Sequence, residues 1–171
     1  MRQAASTLLA CAIAWPLGAI SDAEPGQPCQ VVAGQKLEVF YPALPREWQR
    51  GDPASETDTR DNVSRTTVDF DRGVETISVE IMDSCRDADV LLLIREVLKQ
   101  FPPGTPGTAQ RHTTVNNFPA YEEFTESSGH GEIHVLVADR FMIKVTAGTS
   151  TLSTLRTATG LIPMDKLAAL K

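Results

Sequence analysis

The chain has 171 residues, of which 42% are apolar and 22% are charged, as is typical of a globular protein. Its formal net charge is −6, from 22 acidic and 16 basic residues, and the basic residues form no cluster. This charge argues against nucleic acid and against anionic membrane surfaces as partners.

The first 23 residues have the pattern of a cleaved signal peptide. Arg2 supplies a positive charge, residues 4–20 are mostly apolar, and the Ser-Asp-Ala sequence at 21–23 fits a cleavage site. We therefore expect a single mature domain over residues 24–171, periplasmic or secreted, with no membrane span.

A lipoprotein is the alternative interpretation of this leader. Leu8-Leu9-Ala10-Cys11 resembles a lipobox, at which Cys11 would carry the lipid. The residues after Cys11 stay apolar through Leu17, however, so a lipobox here would leave a very short hydrophobic region. Cleavage near Ala23 is therefore favoured.

Loss of the leader leaves two cysteines, Cys29 and Cys85. In an oxidising compartment an isolated pair usually forms a disulfide, and a loop of this length is stabilised by about 4 kcal/mol in the entropic model. A redox pair or two metal ligands are the alternatives, but redox cysteines normally lie close together in sequence. A structural disulfide is the favoured prediction.

Apolar periodicity predicts the elements of the first half. Residues 36–41 alternate and predict a strand, and the polar stretch 50–62 predicts a long exposed loop. Residues 66–70 and 77–81 alternate again, and the turn at 71–73 joins them in an antiparallel hairpin.

A helix is predicted after this hairpin, with Ser84 or Asp87 as its N-cap. Its apolar residues recur at helical spacing: Val90, Ile94, Val97, Leu98 and Phe101. Pro102-Pro103-Gly104 ends the helix, and residues 102–112 are predicted as a second loop.

The second half predicts three more strands and a helical C-terminus. The strands cover 118–125, 133–137 and 141–145, with turns at 127–129 and 138–140. Ser150 or Thr151 begins a helix that carries Leu152, Leu155 and Leu161, and a short helical turn follows over 163–170.

This order predicts an α+β domain with a single antiparallel sheet and helices packed on one face. The expected core joins strand and helix residues: Ile77, Val79, Val135, Ile143, Ile94, Val97 and Leu98.

The run Phe40-Tyr41-Pro42…Pro45-Arg46-Glu47-Trp48, followed by a hairpin, a helix, a three-strand meander and a C-terminal helix, resembles the PsbP-like fold. Photosystem extrinsic subunits and bacterial DcrB-type envelope proteins share this fold. The resemblance covers most of the mature chain and implies a non-enzymatic accessory or partner-binding role. It carries over no site residues.

One motif is a candidate for metal chemistry. On a strand, His130, Glu132 and His134 project to the same side, and two imidazoles with a carboxylate are a donor set that Zn²⁺ or Fe²⁺ accepts. Neighbours on one side of a strand are about 7 Å apart, which is too far to share an ion unless the chain bends. We therefore expect a solvated strand face and no tight metal site.

The remaining polar clusters predict no catalytic or cofactor site. Asp52, Glu56, Asp58 and Asp61 crowd the first predicted loop, but their spacing is not that of a calcium loop and Arg60 lies among them. His112 is isolated and is interpreted as a surface residue.

The sequence therefore favours a non-enzymatic exported protein that binds another protein in the cell envelope. Trp48 lies at a loop mouth, where an aromatic residue either covers the core or anchors a partner. Two alternatives remain: a small-ligand or lipid binder with a pocket between helix and sheet, and a metal-dependent enzyme or carrier that uses His130, Glu132 and His134.

Intact mass of the exported protein tests the processing and the disulfide together. We expect a chain that starts near Glu24 and takes up alkylating reagent at Cys29 and Cys85 only after reduction. Alkylation of both thiols without reductant would contradict the disulfide. An acyl group on Cys11 would contradict cleavage near Ala23.

Overall fold

The computed structural model describes residues 29–85, 92, 95–96 and 108–170 of the chain. Its strands are β1 (Gln49–Arg50), β2 (Ala54–Asp58), β3 (Val63–Arg72), β4 (Glu75–Asp83), β5 (Thr108–Val115), β6 (Phe118–Thr125), β7 (His130–Val137) and β8 (Phe141–Gly148). They form one antiparallel sheet in the order β1-β3-β4-β8-β7-β6-β5, and β2 also pairs with β3. The predicted α+β class with a single antiparallel sheet is confirmed.

Short helices cover the inner face of this sheet. They are α1 (Gly34–Leu37), which continues into a 3₁₀ turn at Glu38–Phe40, α2 (Leu152–Gly160) and α3 (Met164–Ala168). The Thr151 hydroxyl accepts a hydrogen bond from the Thr154 backbone N–H and so caps α2, in agreement with one of the two predicted caps.

The predicted helix after β4 falls mostly on residues that are not described. Leu92, Arg95 and Glu96 are helical. Arg95 pairs with Asp139 at 2.9 Å, and it lines a cavity with Pro119 and Leu136 on the outer face of the sheet. Outside the described residues lie Val90, Ile94, Val97, Leu98, Phe101 and the leader at 1–23.

The core forms because the inward positions of the central strands carry mainly apolar side chains. On β4 the inner positions Ile77, Val79 and Ile81 are fully buried, and the register places Ile143 of β8 beside Ile81. Val135 of β7 pairs in turn with Ile143 and is buried as well. The strand part of the predicted core is thus confirmed, and α2 and α3 close it from above with Leu155, Met164 and Leu167.

Residues 36–40 of the segment 36–41 are helical, and the predicted strand is wrong. Leu37, Phe40 and Tyr41 are buried, whereas Val39 is 74% exposed. A strand would put Leu37 and Val39 on one face, but burial at i, i+3 and i+4 is the spacing of a helix. Gly34 lets this helix approach the sheet, because a Cβ there would lie 2.6 Å from backbone oxygens of Glu56 and Arg65.

Two predicted loops contain edge strands. Residues 54–58 of the first form β2, and residues 108–112 of the second belong to β5. An edge strand buries little, so its side chains need not alternate between apolar and polar, and periodicity misses it. Leu161, expected on the apolar side of α2, lies past the helix end and is 44% exposed.

The Cys29–Cys85 disulfide is present, with a Cα–Cα distance of 5.6 Å. Beside it the buried carboxylate of Asp83 receives two hydrogen bonds from Arg140, Nε to Oδ1 at 2.9 Å and Nη2 to Oδ2 at 2.7 Å. The backbone N–H groups of Val32 and Cys85 donate to the same carboxylate, both at 2.8 Å. This cluster ties the N-terminal segment to the end of β4 and to the β7–β8 turn.

Arg140→Met should lower the free energy of unfolding by about 3–5 kcal/mol, because it leaves the Asp83 carboxylate buried without its cation. Arg65→Met is the matched control, since Arg65 is half-exposed and its contacts with Glu56 and Glu80 are 3.4 and 3.8 Å long. The control should cost less than about 1 kcal/mol. If urea denaturation gave the same loss of unfolding free energy for both variants, the buried pair would contribute no more to stability than an exposed one.

Candidate functional site

The outer face of the sheet carries a row of ionisable side chains across five strands. In the paired register Glu80 lies beside Lys144, Lys144 beside His134, His134 beside Tyr121, and Tyr121 beside His112. These residues come from β4, β8, β7, β6 and β5, so the row exists only because the strands are aligned in this register.

Glu132 of β7 lies beside this row, two residues before His134 on the same face of the strand. Its Oε1 contacts His134 Nε2 at 2.8 Å, and its Oε2 accepts from Lys144 Nζ at 2.9 Å. The hydrogen bond with His134, and then the hydrogen bond and charge of Lys144, hold the pKa of Glu132 at about 2, although partial burial opposes the shift. The carboxylate is therefore ionised at neutral pH and both of its oxygens are already occupied by protein partners.

Tyr121 adds a buried phenol to the row. Its hydroxyl donates to Glu123 Oε2 at 3.0 Å, and the Gln110 side-chain amide donates to the same oxygen at 2.9 Å. Burial raises the pKa of Tyr121, and the hydrogen bond to Glu123 raises it further. The phenol is thus a permanent donor that keeps the side chains of β5 and β6 in place.

The structure brings two members of the proposed metal set together and leaves the third apart. Glu132 and His134 touch, whereas the exposed His130 makes no hydrogen bond with either, and its backbone N–H donates to Ser128. Among the residues that the structure describes, no three His, Cys, Asp or Glu side chains converge as metal ligands. Lys144, which the motif did not include, takes the position next to Glu132.

A cleft of about 610 Å³ opens where β2, β3 and β4 meet on the outer face. The exposed residues Glu56, Asp58 and Asp61 give it an acidic rim, and the half-buried Val63 and Met82 add apolar surface to the lining. The sequence predicted these acids on a solvated loop, but the structure places them on β2 and on the turn after it. Asp52, the fourth acid of that cluster, does not line the cleft.

Local hydrogen bonds fix the shape of this rim. One Asp58 oxygen accepts from the backbone N–H groups of Arg60 and Asp61, at 2.8 and 3.1 Å, and so closes the turn. Arg65 is the cation of the lining set and lies between Glu56 and Glu80. Three carboxylates against one guanidinium give the lining a formal charge of −2.

Trp48 is buried against the core, with 9% of its surface exposed. The guanidinium of Arg72 lies 4.5 Å from the centroid of its ring, and Glu75 holds that guanidinium at 3.0 Å. This position favours the covering role of Trp48 over a contact with a partner.

Comparison of the chain with protein-family models, curated proteins and solved structures finds no match. Within the described ranges, no helix has the length and apolar character needed to cross a membrane. The function must therefore be argued from the geometry and charge of the residues above.

Acid titration tests the part played by Glu132. Its folded-state pKa lies below the ordinary value of 4.5, so it stabilises the fold at neutral pH, and this contribution is lost as the pH falls from 4.5 to about 2. We expect Glu132→Gln to lower the free energy of unfolding at pH 7 and to have a smaller effect at pH 3.

The control for this titration is Glu126→Gln, which removes a carboxylate from the exposed β6–β7 turn. It separates the loss of the Glu132 contacts from the change in net charge. A Glu132→Gln deficit as large at pH 3 as at pH 7 would contradict the assignment.

Proposed function

We propose that this protein is an exported, non-catalytic binding protein that holds a cationic segment of a partner protein in the cell envelope. The observation that carries the proposal is the outer cleft, which combines an acidic rim with the apolar side chains of Val63 and Met82. The leader pattern and the disulfide support export, because an isolated cysteine pair is oxidised in a periplasmic or extracellular compartment.

The charge of the cleft is available to a ligand. Arg65 is shared between Glu56 and Glu80 at distances longer than a tight ion pair, and the Glu56 side chain is 70% exposed. Asp58 uses only one oxygen to close its turn. Lysine or arginine side chains can therefore reach carboxylate oxygens that the protein has not already satisfied, and the overall charge of −6 favours their approach.

The size and lining of the cleft suit a peptide. A volume of about 610 Å³ falls within the usual range of ligand pockets, about 300–1,000 Å³. The thioether of Met82 is flexible and adapts to different apolar side chains. In the described part of the chain β2 pairs only with β3, so its other edge can offer main-chain hydrogen bonds to an extended segment.

The resemblance of the sequence to PsbP-like proteins supports the same proposed role. That family implies an accessory or partner-binding function rather than a reaction. The α+β architecture with one antiparallel sheet is compatible with it.

A second candidate function, the binding of a small apolar ligand or lipid, is favoured by a different observation. A cavity of about 540 Å³ lies between Arg95 and the outer face of β5, β6 and β7. Pro119 and Leu136 give it an apolar wall, and His112 and Asp139 give it polar contacts. The alternative left open by the sequence likewise has its pocket between a helix and the sheet.

The cleft is tested with a synthetic extended peptide that alternates lysine and leucine, against one that alternates glutamate and leucine. The double variant Glu56→Gln, Asp61→Asn should bind the lysine peptide at least tenfold more weakly than the unmodified protein, measured by fluorescence anisotropy. Asp58 is kept because it closes the turn.

The matched control is the double variant Asp52→Asn, Asp165→Asn, which removes the same charge away from the cleft. It should bind the lysine peptide nearly as well as the unmodified protein. Equal weakening in both double variants would show that only net charge matters, and the cleft would lose its role. Tight binding of the glutamate peptide would contradict the proposal as well.

A further inference from the structure

A second charged cluster lies at the opposite edge of the sheet, on its inner face. Glu122 of β6 is buried there between Arg111 of β5 and Arg156 of α2. Arg156 contacts both carboxylate oxygens, Nε to Oε2 and Nη2 to Oε1, each at 2.7 Å. Arg111 donates from Nε to Oε1 at 2.9 Å.

The cluster has more positive charge than its carboxylate needs. The Arg156 hydrogen bond lowers the pKa of Glu122, so this group is ionised at neutral pH. Arg156 alone satisfies both oxygens and neutralises the buried charge. Arg111 is then a surplus cation, and the cluster keeps a formal charge of +1 in a chain whose total is −6.

The guanidinium groups still present donors to solvent. Their side chains are 53% exposed for Arg111 and 43% for Arg156, whereas that of Glu122 is only 5% exposed. Among the described residues, the terminal nitrogens of Arg111 and the Nη1 atom of Arg156 have no hydrogen-bond partner. The buried carboxylate thus orients both groups and leaves their outer edges open.

A pocket of about 260 Å³ lies at these open edges, and Thr113, Thr114, Val115 and Asn116 complete its lining. The Asn116 amide donates to the backbone oxygen of Gly160 at 3.1 Å and so joins the pocket rim to the end of α2. Thr113 shares the inner face with Arg111, so its hydroxyl adds a neutral donor beside the two guanidinium groups, and this set of contacts suits an oxyanion.

We propose that this pocket binds the oxyanion group, a carboxylate or a phosphate, of a small molecule. Guanidinium groups bind both anions through paired N–H donors, and Glu122 has already restricted the two side chains, which lowers the entropy lost on binding. The pocket is smaller than the usual range of about 300–1,000 Å³, so it accommodates a head group and leaves the rest of the molecule outside. A purely structural ion pair would need only Arg156.

Titration with sodium phosphate and with sodium succinate, against sodium chloride at equal ionic strength, tests this site. We expect at least one of the two anions to shift the side-chain Nε–H signals of Arg111 and Arg156 in nitrogen-15 NMR spectra, with saturation. A preference for phosphate would identify a phosphate group as the ligand class, and a preference for succinate a carboxylate.

Arg111→Gln should weaken this binding at least tenfold, while Glu122 keeps both contacts with Arg156 and the fold is retained. Arg156→Lys is the second variant, which keeps the charge but loses the paired donors, and it should also weaken binding. Arg46→Gln removes an exposed cation elsewhere and should leave binding unchanged. Shifts no larger than those with chloride, or binding equal in all variants, would overturn the proposal.

Discussion

The carboxylate of Asp83 is the constraint on which the arrangement of the N-terminal half depends. It is fully buried, and a buried charge is tolerated only when its oxygens are satisfied by donors in good geometry. Its donors come from Val32 near the N-terminus, from Cys85 after β4 and from Arg140 at the β7–β8 turn. All three segments must therefore be in place together. The disulfide at Cys29 then holds α1 over β2 and β3, where it closes one end of the core.

The two faces of the sheet differ in character because successive side chains of a β-strand point to opposite faces. The inner face buries apolar residues under short helices, and its few ionised groups occur at the rim, as at Glu122. The outer face carries ionisable side chains in register, and an acidic cleft forms where the short strand β2 ends. The negative cleft and the positive pocket thus lie at opposite edges of one sheet. The two proposed binding sites therefore share no surface and would not compete with each other.

The sequence predicts the central strands well and the periphery poorly. Residues 77–81, 133–137 and 141–145 lie on strands that are paired on both sides and buried on one face. Their inward side chains are therefore apolar at every second position, and the pattern agrees with the structure. Residues 36–41 fit both a period of two and a helical period, and only the exposure of Val39 decides between them. At the sites, the contacts of Glu132 with Lys144 and of Glu122 with Arg156 depend on partners distant in sequence. One signal was available: an acid at an inward position between Ala120 and Phe124 requires a cation.

The disulfide also makes the first 57 residues of the described chain, from Cys29 to Cys85, a closed covalent ring. The turn at 59–62 and the strands on either side of it lie inside that ring. A protease in the surrounding medium that cut this exposed turn would open the rim of the cleft, but the two pieces would stay joined through sulfur. The cleft thus lies in a part of the molecule that can be nicked without loss of a fragment, and the damaged and intact chains would differ in mass only by one water.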